Sequence, residues 1–360
     1  MKNLKSIFIL VQLLFLSNST LTNAQKKEIE VNPLNESFKI AFGSCAHQDK
    51  EQPLLLEALK YKPDLFIYLG DNIYGDTRDM ELLKSTYSKL SAKVEFQELK
   101  KNTPILSVWD DHDYGENDKG RHYPFQKESK EIFMNFWNIP QESDRRKHEG
   151  IYGVEYVQIG TKTLQILLLD TRSFRDDLVK NEPKNPVYKN DYIPNHQKDS
   201  TLLGNTQWKW LENELSKKAD IRIIASSLQF GHEYNGYESW TNMPEEQAKF
   251  VALIEKTEAN GVLFISGDVH WGEISKMPTD KTYPLYDVTS SGITQTWTST
   301  ESNKNRLGPV IVQNNIGLIE IFYEENNPTI TLNLFDKNGI VNAKKILLSE
   351  VSFPINNLKK

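Results

Sequence analysis

Cysteine is nearly missing from this chain: Cys45 is the single one among 360 residues. No internal disulfide can form, so the fold must rest on a hydrophobic core rather than on covalent staples. An excess of positive charge is missing too. The formal net charge is -6, whereas a groove for a phosphate backbone needs a clustered basic face, so no nucleic-acid-binding groove is expected. Short basic runs such as Arg145-Arg146-Lys147 read as solvated surface. No later segment offers the roughly 20 apolar residues of a membrane-spanning helix. Repeats, low-complexity tracts and a Pro/Gly/Ser linker are also lacking, which points to one domain.

The first residues read as an address. Lys2 and Lys5 supply a basic start, 7–16 an apolar run, and Thr22-Asn23-Ala24 a small-residue cleavage site. The expected boundaries are a signal peptide over 1–24, an N-terminal extension over 25–37, one domain over 38–350 ending in antiparallel strands, and a C-terminal tail over 351–360. A secreted or periplasmic location follows, with no membrane anchor after cleavage. Cysteines usually pair in an oxidising compartment, so Cys45 has three open readings: a small buried apolar residue, a free exposed thiol, or a thiolate on a metal.

Short apolar runs at 38–42, 65–69, 105–108, 164–169, 221–225 and 262–265 read as buried strands, because they are too short for helices and rich in β-branched or large apolar residues. Helical periodicity occupies 53–60, 207–217 and 245–258. The alternation argues for α/β layers with at least one mostly parallel sheet. The tail changes character, with strands at 318–323, 329–335 and 344–348 that suggest the antiparallel end of a second sheet.

Polar residues gather where these strands stop. The first runs into Gly43-Ser44-Cys45-Ala46-His47, the next into Gly70-Asp71-Asn72-Ile73-Tyr74-Gly75-Asp76, and a third into Trp109-Asp110-Asp111-His112-Asp113. Leu169 leads to Asp170-Thr171-Arg172, and Ile265 to Ser266-Gly267-Asp268-Val269-His270. Carboxyl ends of parallel strands face one crevice, so the pattern predicts a cup of carboxylates and imidazoles. So many acids together resist ionisation unless cations neutralise them. Mixed thiolate, imidazole and carboxylate donors suit a transition metal, with room for a harder ion beside it.

Taken together, these motifs resemble the calcineurin-like metallophosphoesterases and, within them, the alkaline phosphatase D (PhoD-like) family, over about 38–297. Cys45-Ala46-His47, Gly70-Asp71, Asp110-Asp111-His112-Asp113 and Gly267-Asp268-Val269-His270 stand for the four successive strand-end signatures. Leu169-Asp170-Thr171-Arg172, Gln207-Trp208 and Val288-Thr289-Ser290-Ser291-Gly292 match further landmarks. The resemblance implies a metallophosphatase-like four-layer α/β sandwich, with two mixed β-sheets flanked by helices. It also implies a binuclear metal centre, Fe3+ with Ca2+, or Zn2+ or Mn2+, acting on a small phosphate-ester substrate.

The implied ligands are Cys45, His47, Asp71, Asp111, Asp268 and His270. Gln229 stands where the superfamily has a metal-binding histidine, with His232 as its rival. His112, oriented by Asp113, is the expected general acid; Arg172 is expected to grip phosphate or to pair with a nearby acid, and Asn72 to contact metal or phosphate or to serve the turn. The long members of the family carry Tyr where this chain has His47, which leaves the iron assignment open. Two rivals to a phosphomonoesterase are weighed: a phospholipase-type phosphodiesterase, and a metal-bound ligand-binding protein without activity.

Overall fold

The computed structural model describes residues 37–323 and 327–354. The expected signal peptide, most of the extension and the end of the tail lie outside those residues. Among the described residues no helix is long and apolar enough to cross a membrane.

The chain runs β1 (Ser37–Gly43), α1 (Pro53–Lys60), β2 (Leu65–Leu69), α2 (Met80–Ser91), α3 (Val94–Asn102), β3 (Ile105–Val108), α4 (Asp111–Tyr114), α5 (Gln126–Phe136) and α6 (Asp144–Lys147). There follow β4 (Gly153–Ile159), β5 (Lys162–Leu168), the short β6 (Val179–Lys180) and β7 (Tyr192–Ile193), α7 (Gly204–Leu215), β8 (Ile221–Ala225), α8 (Pro244–Thr257) and β9 (Val262–Ser266). Last come β10 (Gly272–Met277), β11 (Leu285–Ser290), β12 (Arg306–Ile311), β13 (Ile316–Phe322), β14 (Thr329–Asp336) and β15 (Gly339–Leu347).

Every residue of β2, β8 and β9 is buried, Arg222 of β8 included, as expected of strands covered on both faces of a sheet. Pro53 opens α1 in its first turn, where a missing N–H leaves no bond unmade. Asp79 caps α2 by accepting from the amides of Glu81 and Leu82 at 3.0 and 3.2 Å.

Two large mixed sheets result. One has the order β15-β14-β13-β1-β2-β3 and the other β12-β10-β11-β9-β8-β5-β4. In the first, β1, β2 and β3 are parallel neighbours, with α1 and then α2 and α3 in the crossovers. In the second, β5, β8, β9 and β11 are parallel, with α7 between β5 and β8, α8 between β8 and β9, and the antiparallel β10 between β9 and β11.

The tail is the antiparallel end of one of these two sheets, as expected, and the sheet it ends is that of β1: Ser37 lies opposite Phe322, so that β13 covers the edge of the parallel trio that β2 leaves open. The crevice lies between the two sheets. The five strand ends belong to two sheets, not one, and a parallel bridge from Ser44 to Ser291 ties the end of β1 to the end of β11. The carboxyl ends of both sheets therefore open onto a shared rim.

Candidate metal centre

Sharp backbone turns deliver the polar side chains to this rim. Gly70 has φ +98°, and a Cβ on it would lie 2.5 Å from that of Asp110; one on Gly267 would lie 2.3 Å from Ser44 Oγ. Only glycine fits either place. Beside them, Cys45, Asp71, Asp268 and His270 all adopt left-handed backbone, with φ of 62°, 50°, 72° and 61°. Such conformations cost non-glycine residues about 1 kcal/mol or more each and collect at functional sites. Backbone hydrogen bonds hold the turns in register: Cys45 N–H donates to Gly70 O, and Ala46 N–H to Asp71 O at 2.8 Å.

Three groups of potential ligands lie with their donor atoms within 4.8 Å of one another: Cys45–Asp71–His270, Asp71–Asp111–His112 and Asp110–Asp111–Asp268. They overlap in Asp71 and Asp111, so the donors form a continuous chain. A fourth group, Asp111–Asp118–Glu238, extends it outward. Cys45 is fully buried, with Sγ 3.1 Å from Ser291 Oγ and 3.4 Å from Asp71 Oδ2. Of the three readings of this thiol, exposure is thereby removed. Asp71 Oδ1 is buried without a hydrogen-bond partner, an acceptor that a cation would satisfy.

The electrostatics point the same way. Burial pushes Asp71 and Asp268 well above the usual carboxylate range, and raises Asp110 to about 6 even though Arg172 opposes it. Burial also lifts the Cys45 thiol to about 12 and lowers His270 to about 4. Burial would raise Asp111 as well, but Arg172 and His112 outweigh it and hold this carboxyl below its ordinary range. For His112 burial is outweighed by Asp111, Asp71 and Asp76, which raise the ring to about 11. Without cations Asp71, Asp110 and Asp268 thus resist ionisation, whereas bound cations would favour carboxylate and thiolate.

Several expected site residues take other places. His47 stands outside the ligand groups, its ring stacked 5.0 Å from Tyr74 and its Nδ1 accepting from the Asp49 amide. Gln229 is occupied elsewhere: its amide nitrogen donates to Glu273 and Thr289 at 2.8 and 3.0 Å, and its oxygen accepts from Asn235. Its rival His232 is buried 3.8 Å from the same Glu273. Asp113 does not touch the His112 ring; it accepts from the amides of Asp71 and Asp110, from Tyr87 and from Asn72. The partner of His112 is Asp76, 2.7 Å from Nδ1.

Arg172 is fully buried, its guanidinium 2.5 Å from Asp110 and 2.6 Å from Glu238, which leaves the salt bridge rather than an open phosphate grip. Asn72 donates to Val108 O while its own Oδ1 stays buried and unpartnered.

Tyr74, quoted in the sequence but given no role, enters the centre. Its hydroxyl donates to Asp71 Oδ2 at 3.1 Å and lies 3.2 Å from His270 Nε2. The signal was its place three residues after Asp71 in the same tight loop. Asp76 belongs to that loop too, which folds back so that Gly75 N–H bonds His112 O. Glu238 comes from a distant loop and had no sequence signal.

A two-sheet α/β sandwich with ligand-bearing turns along one rim is the architecture of a metallophosphatase. The chain belongs to the PhoD-like phosphatase family, which matches residues 40–344. It is 24% identical to alkaline phosphatase D of Bacillus subtilis over 299 residues, 70% of this chain and 48% of that protein. The chain thus spans about half the length of the curated relative it matches. Among solved structures, PhoD superposes with a TM-score of 0.65 at 17% identity, over 86% of this chain and 68% of that one. A dimetal phosphatase from Danio rerio gives 0.51 at 13%, over 88% and 99%. GAP50 of Plasmodium, described as the anchor in the inner membrane complex, gives 0.52 at 11%, over 86% and 88%. These likenesses establish a shared fold.

Proposed function

We propose that this chain is an exported, metal-dependent hydrolase of phosphate esters, acting at a pair of cations that share Asp71. The observation that carries the reading is the chain of ligand groups overlapping in Asp71 and Asp111. Cys45, Tyr74 and His270 would hold one ion and Asp111, Asp268 and Asp110 the other. Two such ions would supply an activated water and neutralise the phosphoryl oxygens.

The protein's own groups do the rest. Asp76 holds His112 Nδ1, leaving Nε2 to protonate the departing alcohol oxygen. Arg172 keeps Asp110 in place and stands 3.9 Å from Asp268, so it positions acids rather than substrate. Asp113 fixes the backbone of both acid loops through the amides of Asp71 and Asp110.

Sulfur, imidazole and phenol donors support ferric iron in the first position, and carboxylates alone support Ca2+ in the second. Zn2+ and Mn2+ are the alternatives that elemental analysis of the purified protein separates. The basic start and short apolar run of 1–24 support export, which N-terminal sequencing of secreted protein tests.

The fold also serves GAP50, described as an anchor, so a ligand-binding protein without activity is the second reading. Monoester and diester turnover, assayed side by side with Fe3+/Ca2+, Zn2+ and Mn2+, decides. Hydrolysis with bound metal is the expected result, and its absence across all metals and esters contradicts it. The diester arm also tests the phospholipase-type alternative.

A further inference from the structure

Beside the centre lies a cavity of about 390 Å3 lined by Tyr237, Trp271, Trp297, Thr296, Thr298 and Glu301. Three aromatic rings form its walls. Tyr237 and Trp297 are 4.8 Å apart at a tilt of 54°, and Trp271 lies 5.9 Å from Trp297. The cavity adjoins the metal ligands directly, because the Trp297 ring packs edge-on against His270 at 4.9 Å and its amide donates to His270 O at 3.1 Å.

The walls differ in freedom. Trp271 is fully buried, with its indole N–H held by Glu273, whereas Tyr237 and Trp297 are half-buried. No Lys or Arg lines the cavity, and Glu301 is already paired with Lys189 and Asn190. A second phosphate would find no partner there, while a flat uncharged ring would find two aromatic faces and a rim of threonine hydroxyls.

We propose that this cavity is the leaving-group subsite and that it selects alcohols carrying a planar aromatic ring, nucleosides in particular, through stacking on Tyr237 and Trp297. The proposal rests on the phosphoesterase reading for its chemistry and on the aromatic walls for its selectivity. The phosphoryl group sits at the cations and the ring lies over Trp297, so Tyr237 and Trp297 act as specificity-determining residues.

The test compares adenosine 5′-monophosphate with ribose 5-phosphate on the metal-loaded full chain. Both release a primary 5′-alkoxide from a ribose, so the base is the main difference between them. Base stacking on an aromatic side chain predicts about a tenfold or greater advantage in kcat/KM for the nucleotide, expressed in KM. Trp297→Leu and Tyr237→Leu should each bring that ratio close to one.

Equal kcat/KM in the unaltered protein overturns the proposal. So do variants that slow both esters in proportion, since Trp297 would then merely support His270. Tyr237 is half-exposed and far enough from the core for its variant to fold if the tryptophan variant does not. Calorimetric titration with adenosine gives a second readout: binding that Tyr237→Leu abolishes supports the subsite, and no binding overturns it. Adenosine binding in a protein that hydrolyses neither ester would sink the hydrolase reading and leave the aromatic site standing.

Discussion

On one side of Asp71 stand a thiol, an imidazole and a phenol; on the other stand carboxylates, with the buried guanidinium of Arg172 behind them. The first side, built by Cys45, His270 and Tyr74, mixes a soft sulfur, a borderline imidazole nitrogen and a phenol oxygen. The second, built by Asp110, Asp111 and Asp268, offers oxygen alone. One rim therefore presents two chemistries, so the two positions should prefer different ions. The carboxylate side also carries more like charge, which Arg172 relieves in part and a hard cation would relieve further.

Substituting the residue that both sides share gives the largest expected effect. Asp71→Asn should remove both ions and lower kcat about 10³-fold or more, since transition-state charge would lose its main stabilisation. Elemental analysis beside steady-state kinetics checks it. Retention of one full equivalent of metal would show that Asp71 serves only one side.

Single-sided substitutions come next. Cys45→Ser should lose the ion of the soft side while Asp268→Asn loses that of the hard side, each lowering activity about 10²-fold. If both variants lose the same element, the distinction between the sides fails.

The two carboxylates around His112 sharpen the comparison at smaller scale. Asp76→Asn should slow esters with poor leaving groups about tenfold more than activated ones, because the ring loses the partner that orients it. Asp113→Asn should instead lower Tm by several degrees, because the carboxylate accepts from two backbone amides and a buried tyrosine. Equal leaving-group dependence in both variants would return Asp113 to the catalytic role.

The smallest effect is a pH dependence of stability. Burial raises Asp110 to about 6 and Asp113 and Asp118 to about 7, above the unfolded value near 4. Between those values the folded chain keeps protons that the unfolded chain has released, so metal-free stability falls as pH rises. His112, raised to about 11, acts in the same direction above its unfolded value near 6.5. Burial lowers His270 to about 4, which opposes this trend below about 6.5; thermal unfolding in chelator should therefore show a lower Tm at pH 8 than at pH 6.5, and added metal should reverse the difference. A chelated protein that gains stability up to pH 8 would contradict this.

Much of this was legible in the sequence wherever one local rule acted alone. The apolar runs of β2, β3 and β8 and the Pro-led α1 were readable to the residue, because each is bounded by abrupt changes in polarity. β10 and β12 were missed since GEISKM and RLGPVI mix polar and apolar residues; Glu273 is buried there only because Gln229, Trp271 and Arg306 satisfy it.

The strand-end donors Cys45, Asp71, Asp111, Asp268 and His270, which the structure gathers into overlapping groups, are marked in the sequence by position. Partners that depend on a loop folding back are not so marked: nothing in the linear order places Asp76 beside His112, where Asp113 is expected, or Tyr74 beside His270. His47 and Gln229 fitted motif positions, yet Tyr74 stacks on one and Glu273, Thr289 and Asn235 engage the other. Side-chain competition of that kind has no linear signature.

The most direct test is anomalous diffraction from crystals of the metal-loaded protein, with data recorded on either side of the iron edge. Two peaks about 3.5–4 Å apart on either side of the Asp71 carboxylate are predicted, with only the one beside Cys45 responding to the iron edge. A single peak, or peaks remote from Asp71, would contradict the shared-cation account.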